Sequence, residues 1–156
     1  MKSAMLRSRR RFLTLALLVS LAPLASAAAP APPQYLPVAA QWCLPGGCLN
    51  LEVPKTPEQY RRGLMQRPAL GPWRGMWFRF SPAQTVGFWM HQCLVPLDLV
   101  FVRDGKVVEV KAQLPACPRL PCPSYSASEA VDGVVELQAG RAAELGLTVG
   151  SAAVIQ

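Results

Sequence analysis

The sequence predicts a mainly β domain, an antiparallel β-sandwich or a distorted barrel with two short helices. Seven segments alternate with period two and are rich in β-branched or aromatic residues, which is typical of strands. Asp104 and Gly105 join two of these segments, and Asp-Gly favours a two-residue antiparallel hairpin. No helical pattern is long enough to connect parallel strands, so mainly antiparallel pairing is expected.

The predicted elements follow in a simple order along the chain. The first helix has Thr56 as N-cap, Pro57 at its first position and Gly63 just past its end. The second helix covers residues 140–145 and ends at Gly146. The predicted strands are residues 48–53, 76–80, 86–90, 97–102, 107–114, 134–138 and 152–155.

The N-terminal residues 1–27 have the pattern of a cleaved signal peptide. A basic region precedes an apolar stretch over residues 12–24, and A-S-A at 25–27 is a typical cleavage site. The letters S-R-R-R-F-L at residues 8–13 are similar to a twin-arginine motif, although an ordinary secretory signal is the alternative. We therefore expect export to the periplasm or another extracytoplasmic compartment, with membrane contact only before cleavage. Residues 28–41 form an Ala/Pro-rich flexible lead-in, and residues 42–156 form one domain.

Charge excludes one class of partner. The chain has 16 basic and nine acidic residues, but five of the basic ones lie in the signal peptide. The mature chain then has eleven basic and nine acidic residues, a net charge of +2. Without a basic face, nucleic acid is not an expected partner. We expect a monomer.

Five cysteines in an exported chain indicate disulfides. Cys43 with Cys48, and Cys117 with Cys122, form two local pairs that each enclose a proline. Cys93 is left over and is expected to be reduced and buried. A four-cysteine zinc site is the alternative, but structural zinc usually uses C-x2-C spacing. We predict two disulfides, no metal and no cofactor.

Three blocks stand in fixed order: G-L-M-Q-R at 63–67, G-M-W-F-R-F at 75–80 and F-W-M-H-Q-C-L-V-P-L-D-L-V-F at 88–101. This order resembles the core signature of the DUF192 (UPF0127) family of small bacterial and archaeal domains, over about residues 49–155. The resemblance implies a mainly-β sandwich, and the family has no agreed activity. The family pattern continues W-M-K-N-T, whereas this chain has W-M-H-Q-C at 89–93. His91 and Cys93 would share a strand face, so a soft copper site with nearby methionines is a minor alternative.

Four residues in or beside these blocks are candidates for ligand binding. The guanidinium groups of Arg62 and Arg67 suit polar or anionic groups, Trp89 can stack on a ring, and Asp98 adds a carboxylate. The structural alternative is an internal Arg–Asp ion pair, or Asp98 accepting backbone N–H groups, with Trp89 in the core. His91 is the single histidine, and no G-x-S-x-G motif is present, so no catalytic residue is assigned.

The sequence therefore predicts an exported domain that binds a small polar ligand, such as a carbohydrate or organic acid. The predicted cleft is lined by Arg62, Arg67, Trp89 and Asp98. One alternative is a hydrolase with Asp98 as general base or acid. Its second titratable group would be His91, Glu136 or Asp132. The other alternative is an envelope scaffold or interaction protein without a pocket.

Overall fold

A computed structural model describes residues 31–156, and the predicted signal peptide and residues 28–30 lie outside the described residues. The prediction of a mainly β domain with two short helices is confirmed. The elements are β1 (Val38–Leu44), β2 (Gly47–Glu52), α1 (Pro57–Arg62), β3 (Arg74–Gln84), β4 (Leu97–Arg103), β5 (Lys106–Leu114), β6 (Val131–Gln138) and α2 (Arg141–Glu144).

The six strands form one mixed sheet in the order β1-β2-β3-β6-β4-β5, which does not close into a barrel. Pairing is mainly antiparallel, as expected, and one pair differs: β2 and β3 are parallel from Asn50 opposite Arg74 to Glu52 opposite Met76. A parallel crossover needs about a dozen residues and usually a helix. The connection through residues 53–73 is long enough, although α1 itself has only six residues.

The predicted hairpin turn is confirmed between β4 and β5. Arg103 pairs with Lys106, so Asp104 and Gly105 are the two turn residues. Their φ values are 49° and 69°, and positive φ at both positions is the requirement of a type I′ turn. The turn chemistry therefore sets the register of this pair.

Both predicted helices are present. The Thr56 hydroxyl accepts a hydrogen bond from Gln59 N at 3.3 Å, and the Gln59 side chain accepts one from Thr56 N at 3.2 Å. This capping box fixes the start of α1, and Gly63 with φ 45° ends it. At the second helix, Gly140 and Gly146 flank α2 with φ values of 84° and 67°.

Three segments differ from the predicted strands. Residues 38–41, expected within the flexible lead-in, belong to β1, which pairs with β2. The segment 86–90 forms only the isolated bridge of Phe88 with Tyr125. Residues 152–155 form isolated bridges from Ala152 to Lys106 and from Ile155 to Trp42. These two segments cover the sheet or its edges rather than extending it.

The two faces of the sheet carry separate apolar cores. Strand alternation places Trp77, Val100 and Val135 on the face that α2 covers, at Ala142. Neighbouring positions such as Phe78 and Phe101 lie on the opposite face. That second face is covered by α1 and by the connections after β3 and β5, and it holds the candidate site.

The cysteine pairs lie at disulfide distance, as predicted. The S–S distances are 2.04 Å for Cys43–Cys48, across the β1–β2 hairpin, and 2.11 Å for Cys117–Cys122. The Cα atoms are 3.9 Å and 5.9 Å apart, the first pair being closer than is usual. Cys93 is free and buried. Within residues 31–156, no helix has the length and apolar character needed to cross a bilayer.

Candidate functional site

A cavity of about 330 Å³ opens on the second face of the sheet. It lies between α1, strand β3 and the segment that follows β3. Its wall is largely aromatic and apolar, with two arginines from α1 and one carboxyl group from β6. The lining residues are Tyr60, Arg61, Arg62, Gly63, Leu64, Met65, Phe78, Phe80, Val86, Gly87, Phe88, Trp89, Cys93 and Glu136.

The aromatic wall is held by contacts between its own rings. The period-two pattern of β3 directs Phe78 and Phe80 to this face. Phe78 packs edge-to-face with Phe88, with ring centroids 5.1 Å apart, and with Tyr60 at 5.8 Å. The Tyr60 hydroxyl donates to the carbonyl oxygen of Arg79 at 2.7 Å. These contacts fix the shape of the wall, and Trp89, 42% exposed, stands at its rim.

Glu136 contributes a carboxyl group to this otherwise apolar cavity. It lies on β6, opposite Met76 of β3 and Leu99 of β4, and only 4% of its surface is exposed. Its Oε2 atom is buried and has no hydrogen-bond partner among residues 31–156. Burial disfavours the charged form and raises the pKa of Glu136 to about 8. The carboxyl group is therefore largely protonated at neutral pH when the cavity holds no cation.

Gly63 lies against this carboxyl group. Its φ of 45° lies in the region that favours glycine, and a Cβ atom there would approach Glu136 Oε2 to 3.5 Å. Cys93 lies on another side of the cavity. Burial, and secondly the charge of Glu136, raise the pKa of the Cys93 thiol to about 12. Because the thiolate is the nucleophilic form, Cys93 is not a reactive thiol at neutral pH.

A second buried charge cluster lies beside the cavity. Its charged groups are paired with one another, and one atom, Arg67 Nε, is buried without a hydrogen-bond partner among residues 31–156. Glu52 accepts two hydrogen bonds from Arg67, at 3.0 Å and 3.1 Å, and one from Arg74 at 2.9 Å. Leu36 N also donates to it at 2.8 Å. Burial alone would raise the pKa of Glu52, but these hydrogen bonds outweigh it and lower the pKa. The Tyr35 ring, with its centroid 4.2 Å from the guanidinium carbon, covers Arg67. This cluster ties the start of the described chain to the domain.

Asp98 lies on the opposite face of the sheet from the cavity. It is 0% exposed and accepts hydrogen bonds from the backbone N–H groups of Gln113, Gly140 and Ala142, at 2.8–3.0 Å. This matches the structural alternative, in which Asp98 accepts backbone N–H groups, and the carboxylate anchors the start of α2. Asp98 pairs with Leu137, so its side chain points away from that of Glu136. The geometry does not support the hydrolase alternative based on Asp98.

The four predicted site residues therefore do not line one cleft. Arg62 and Trp89 line the cavity, Arg67 belongs to the neighbouring cluster, and Asp98 lies behind the sheet. Arg62 donates to Glu58 at 2.9 Å and to the Pro32 carbonyl at 3.1 Å. The alternative of an Arg–Asp ion pair does not hold for Arg67, whose partner is Glu52.

The sequence reasoning missed two acidic residues. Glu52 was not singled out, and Glu136 was named only as a possible second group for a hydrolase. The sequence does indicate both as buried charges, because each is an acidic residue within a mostly apolar segment, L-N-L-E-V for Glu52 and V-V-E-L for Glu136. A buried charge needs a partner or a function. Among residues 31–156, no three histidine, cysteine or acidic side chains are grouped so as to hold a metal.

Comparison with known proteins identifies the family. The model of the DUF192 family, described as "Uncharacterized ACR", matches residues 42–155, so the chain belongs to the DUF192 family. A crystal structure from Novosphingobium aromaticivorans, of a protein of unknown function, has a TM-score of 0.66 and 27% identity. The alignment covers 86% of this chain and 99% of that one.

A second similar structure comes from Sinorhizobium meliloti 1021 and is described, only provisionally, as a transcription regulator. Its TM-score is 0.64 at 28% identity, with 79% of this chain and 97% of that chain covered. No curated protein matches the chain. The fold is thus shared with these proteins, and neither comparison supplies an activity.

Proposed function

We propose that this chain is an exported protein that binds a small ligand in the cavity above Glu136. The observation that carries the proposal is the buried Oε2 atom without a hydrogen-bond partner among the described residues. Leaving a buried polar group unpaired costs about 1–3 kcal/mol, so such groups are rare unless a partner binds from outside the chain. A ligand that donates a hydrogen bond would remove this cost.

The shape of the cavity limits the ligand. A volume of about 330 Å³ holds roughly ten non-hydrogen atoms at the ~30 Å³ that a water molecule occupies in the liquid. The rings of Phe78, Phe88 and Trp89 favour a planar or apolar body. The hydroxyl group of a carbohydrate can exchange hydrogen bonds with Glu136, whereas the carboxylate of an organic acid would lie beside Glu136 while Arg61 and Arg62 are already paired with Glu58. Of the two ligand classes expected from the sequence, the carbohydrate fits better.

Export is the second half of the proposal. Residues 1–27 have the pattern of a signal peptide. Two cysteine pairs at disulfide distance are typical of proteins in an oxidising compartment. Both observations support a mature chain that begins near Ala28 and works outside the cytoplasm.

A fragment screen by NMR on the mature protein tests the proposal. We expect fragments with a donor group to shift the signals of cavity residues, and Glu136→Gln to abolish or strongly weaken the effect. Glu129→Gln is the matched control, because it makes the same change at an exposed carboxyl group. Val86→Trp should fill the cavity and block binding. If no fragment binds in the cavity, or if Glu136→Gln binds all fragments as well as the control does, the proposal is wrong. The first outcome is what the scaffold alternative predicts.

A further inference from the structure

We infer that the group recognised by Glu136 is a protonated amine carried on an apolar, ring-sized body. The inference rests on the proposed function and narrows it from hydrogen-bond donors in general to ammonium groups. It follows from how few free polar atoms the cavity offers, from the missing cationic partner of Glu136, and from the aromatic wall.

The cavity has few free partners for a ligand with many polar groups. The Tyr60 hydroxyl already donates to Arg79, and Arg62 is held by Glu58 and Pro32. Cys93 offers only a weak donor. A carbohydrate ring carries several hydroxyl groups and would leave most of them unpaired in this apolar space, at a cost for each. A ligand with one strong donor and an apolar body fits the cavity better.

Glu136 differs from the other buried carboxyl groups on the same sheet. Asp98 has three backbone donors and Glu52 has two arginines, whereas no cationic side chain of residues 31–156 forms a salt bridge with Glu136. Arg61 and Arg62 lie on the cavity wall, but both are paired with Glu58. The charge that balances Glu136 is therefore expected from the ligand. An ammonium group also gains from the faces of aromatic rings, which attract cations.

Binding a cation here must be coupled to a proton. The carboxyl group of Glu136 is protonated below about pH 8 in the free protein. An ammonium group favours the carboxylate, so the carboxyl proton leaves to the buffer as the amine binds. The amine keeps its own proton over this range, since alkyl amines resemble lysine, with a pKa near 10.4. The amine affinity should rise with pH towards pH 8, by up to about tenfold per pH unit.

The charged groups around Glu136 are paired with one another, so we expect the proton released on amine binding to come from Glu136. Each acidic one among them has a cationic partner, and each arginine or lysine has an acidic one. The charged or titratable groups there are Cys93, Tyr60, Glu58 with Arg61 and Arg62, Glu52 with Arg67 and Arg74, and Glu109 with Lys111. His91 packs against the Trp89 ring at the rim, with ring centroids 5.3 Å apart, and the Glu136→Gln variant separates its contribution from that of Glu136.

The test uses three probes of similar size: 2-phenylethylamine, 2-phenylethanol and 3-phenylpropanoate. Isothermal titration of the mature protein at pH 6, 7 and 8, in two buffers of different ionisation enthalpy, gives both affinity and proton release. We expect the amine to bind most tightly, to bind better at pH 8 than at pH 6, and to release protons at pH 6. Glu136→Gln should weaken amine binding by at least about tenfold, whereas Glu129→Gln should not change it.

The outcomes separate this inference from the proposed function. One contrary outcome is an alcohol that binds as tightly as the amine, loses affinity in Glu136→Gln and causes no proton release. In that case the amine assignment is wrong and the cavity remains a binding site. If none of the probes binds the unsubstituted protein at any of the three pH values, the amine assignment is wrong. The proposed function is then wrong as well if the NMR screen also finds no fragment in the cavity. The pH dependence and the proton release are measured on the unsubstituted chain, so the result does not depend on the folding of a variant.

Discussion

Glu136→Gln is expected to stabilise the protein at neutral and alkaline pH. In the folded chain the carboxyl group is buried, and its pKa is raised from 4.5 to about 8. The folded state therefore holds the proton more tightly than the unfolded state does. Between these two pH values the unfolded chain binds fewer protons, so the free energy of unfolding falls as the pH rises. Glutamine cannot ionise, so the variant lacks this loss.

The magnitude follows from the two pKa values. One pKa unit corresponds to about 1.4 kcal/mol, so the rise from 4.5 to about 8 is worth roughly 5 kcal/mol at full ionisation. The loss is absent below pH 4.5, grows by up to about 1.4 kcal/mol per pH unit, and is complete above pH 8. For a domain whose total stability is typically about 5–15 kcal/mol, this is a large effect.

Urea unfolding of the oxidised, mature protein at pH 5, 6, 7, 8 and 9 measures it. The difference in the free energy of unfolding between Glu136→Gln and the unsubstituted chain should widen steadily from pH 5 to pH 8 and then level off. Contributions from other groups cancel in this difference, and Glu129→Gln shows the effect of losing an exposed carboxyl group. Parallel curves for Glu136→Gln and the unsubstituted protein would refute the claim that this carboxyl group is buried without a partner.

Four further predictions concern the rest of the molecule. Asp98→Asn should lower stability by roughly 2–4 kcal/mol in urea unfolding, because the amide replaces only one of the two acceptor oxygens, and should leave ligand affinity unchanged. Arg67→Gln should lower stability by roughly 3–5 kcal/mol, because Glu52 then loses its main buried partner. An unchanged midpoint of urea unfolding would contradict this. Thiol titration should find one free thiol, Cys93, that reacts slowly until the chain is unfolded. Mass spectrometry of exported protein should find a chain starting after Ala27, and an intact, membrane-retained N-terminus would contradict export.

Local chemistry explains which parts of the fold the sequence could predict. The Asp104-Gly105 turn and the Thr56 cap act through neighbouring residues, so both were predictable. The parallel pairing of β2 with β3 depends on contacts between distant segments, which strand patterning does not encode. Residues 38–41 of β1 alternate weakly and follow an Ala/Pro-rich stretch, so the sequence pattern favours the lead-in for them.

The candidate site was predicted only in part for a related reason. Motif position led to Arg62 and Trp89, and both line the cavity. Alternation along β4 separates Asp98 from Leu97 and Leu99, but it does not tell which face is covered by α2 and which by the cavity. Likewise, an acidic residue within the run of β6 indicates a special role, and only the fold shows that the oxygen of Glu136 lacks a partner.

A crystal structure of the mature protein with a bound fragment tests the central claim most directly. We predict electron density for the fragment in the cavity, with its donor atom within hydrogen-bond distance of the Glu136 carboxyl group and its body between Phe78, Phe88 and Trp89. The best fragment from the NMR screen, or 2-phenylethylamine, is the ligand to use. A fragment bound elsewhere, or a Glu136 carboxyl group that is hydrogen-bonded only within the protein, would contradict the account.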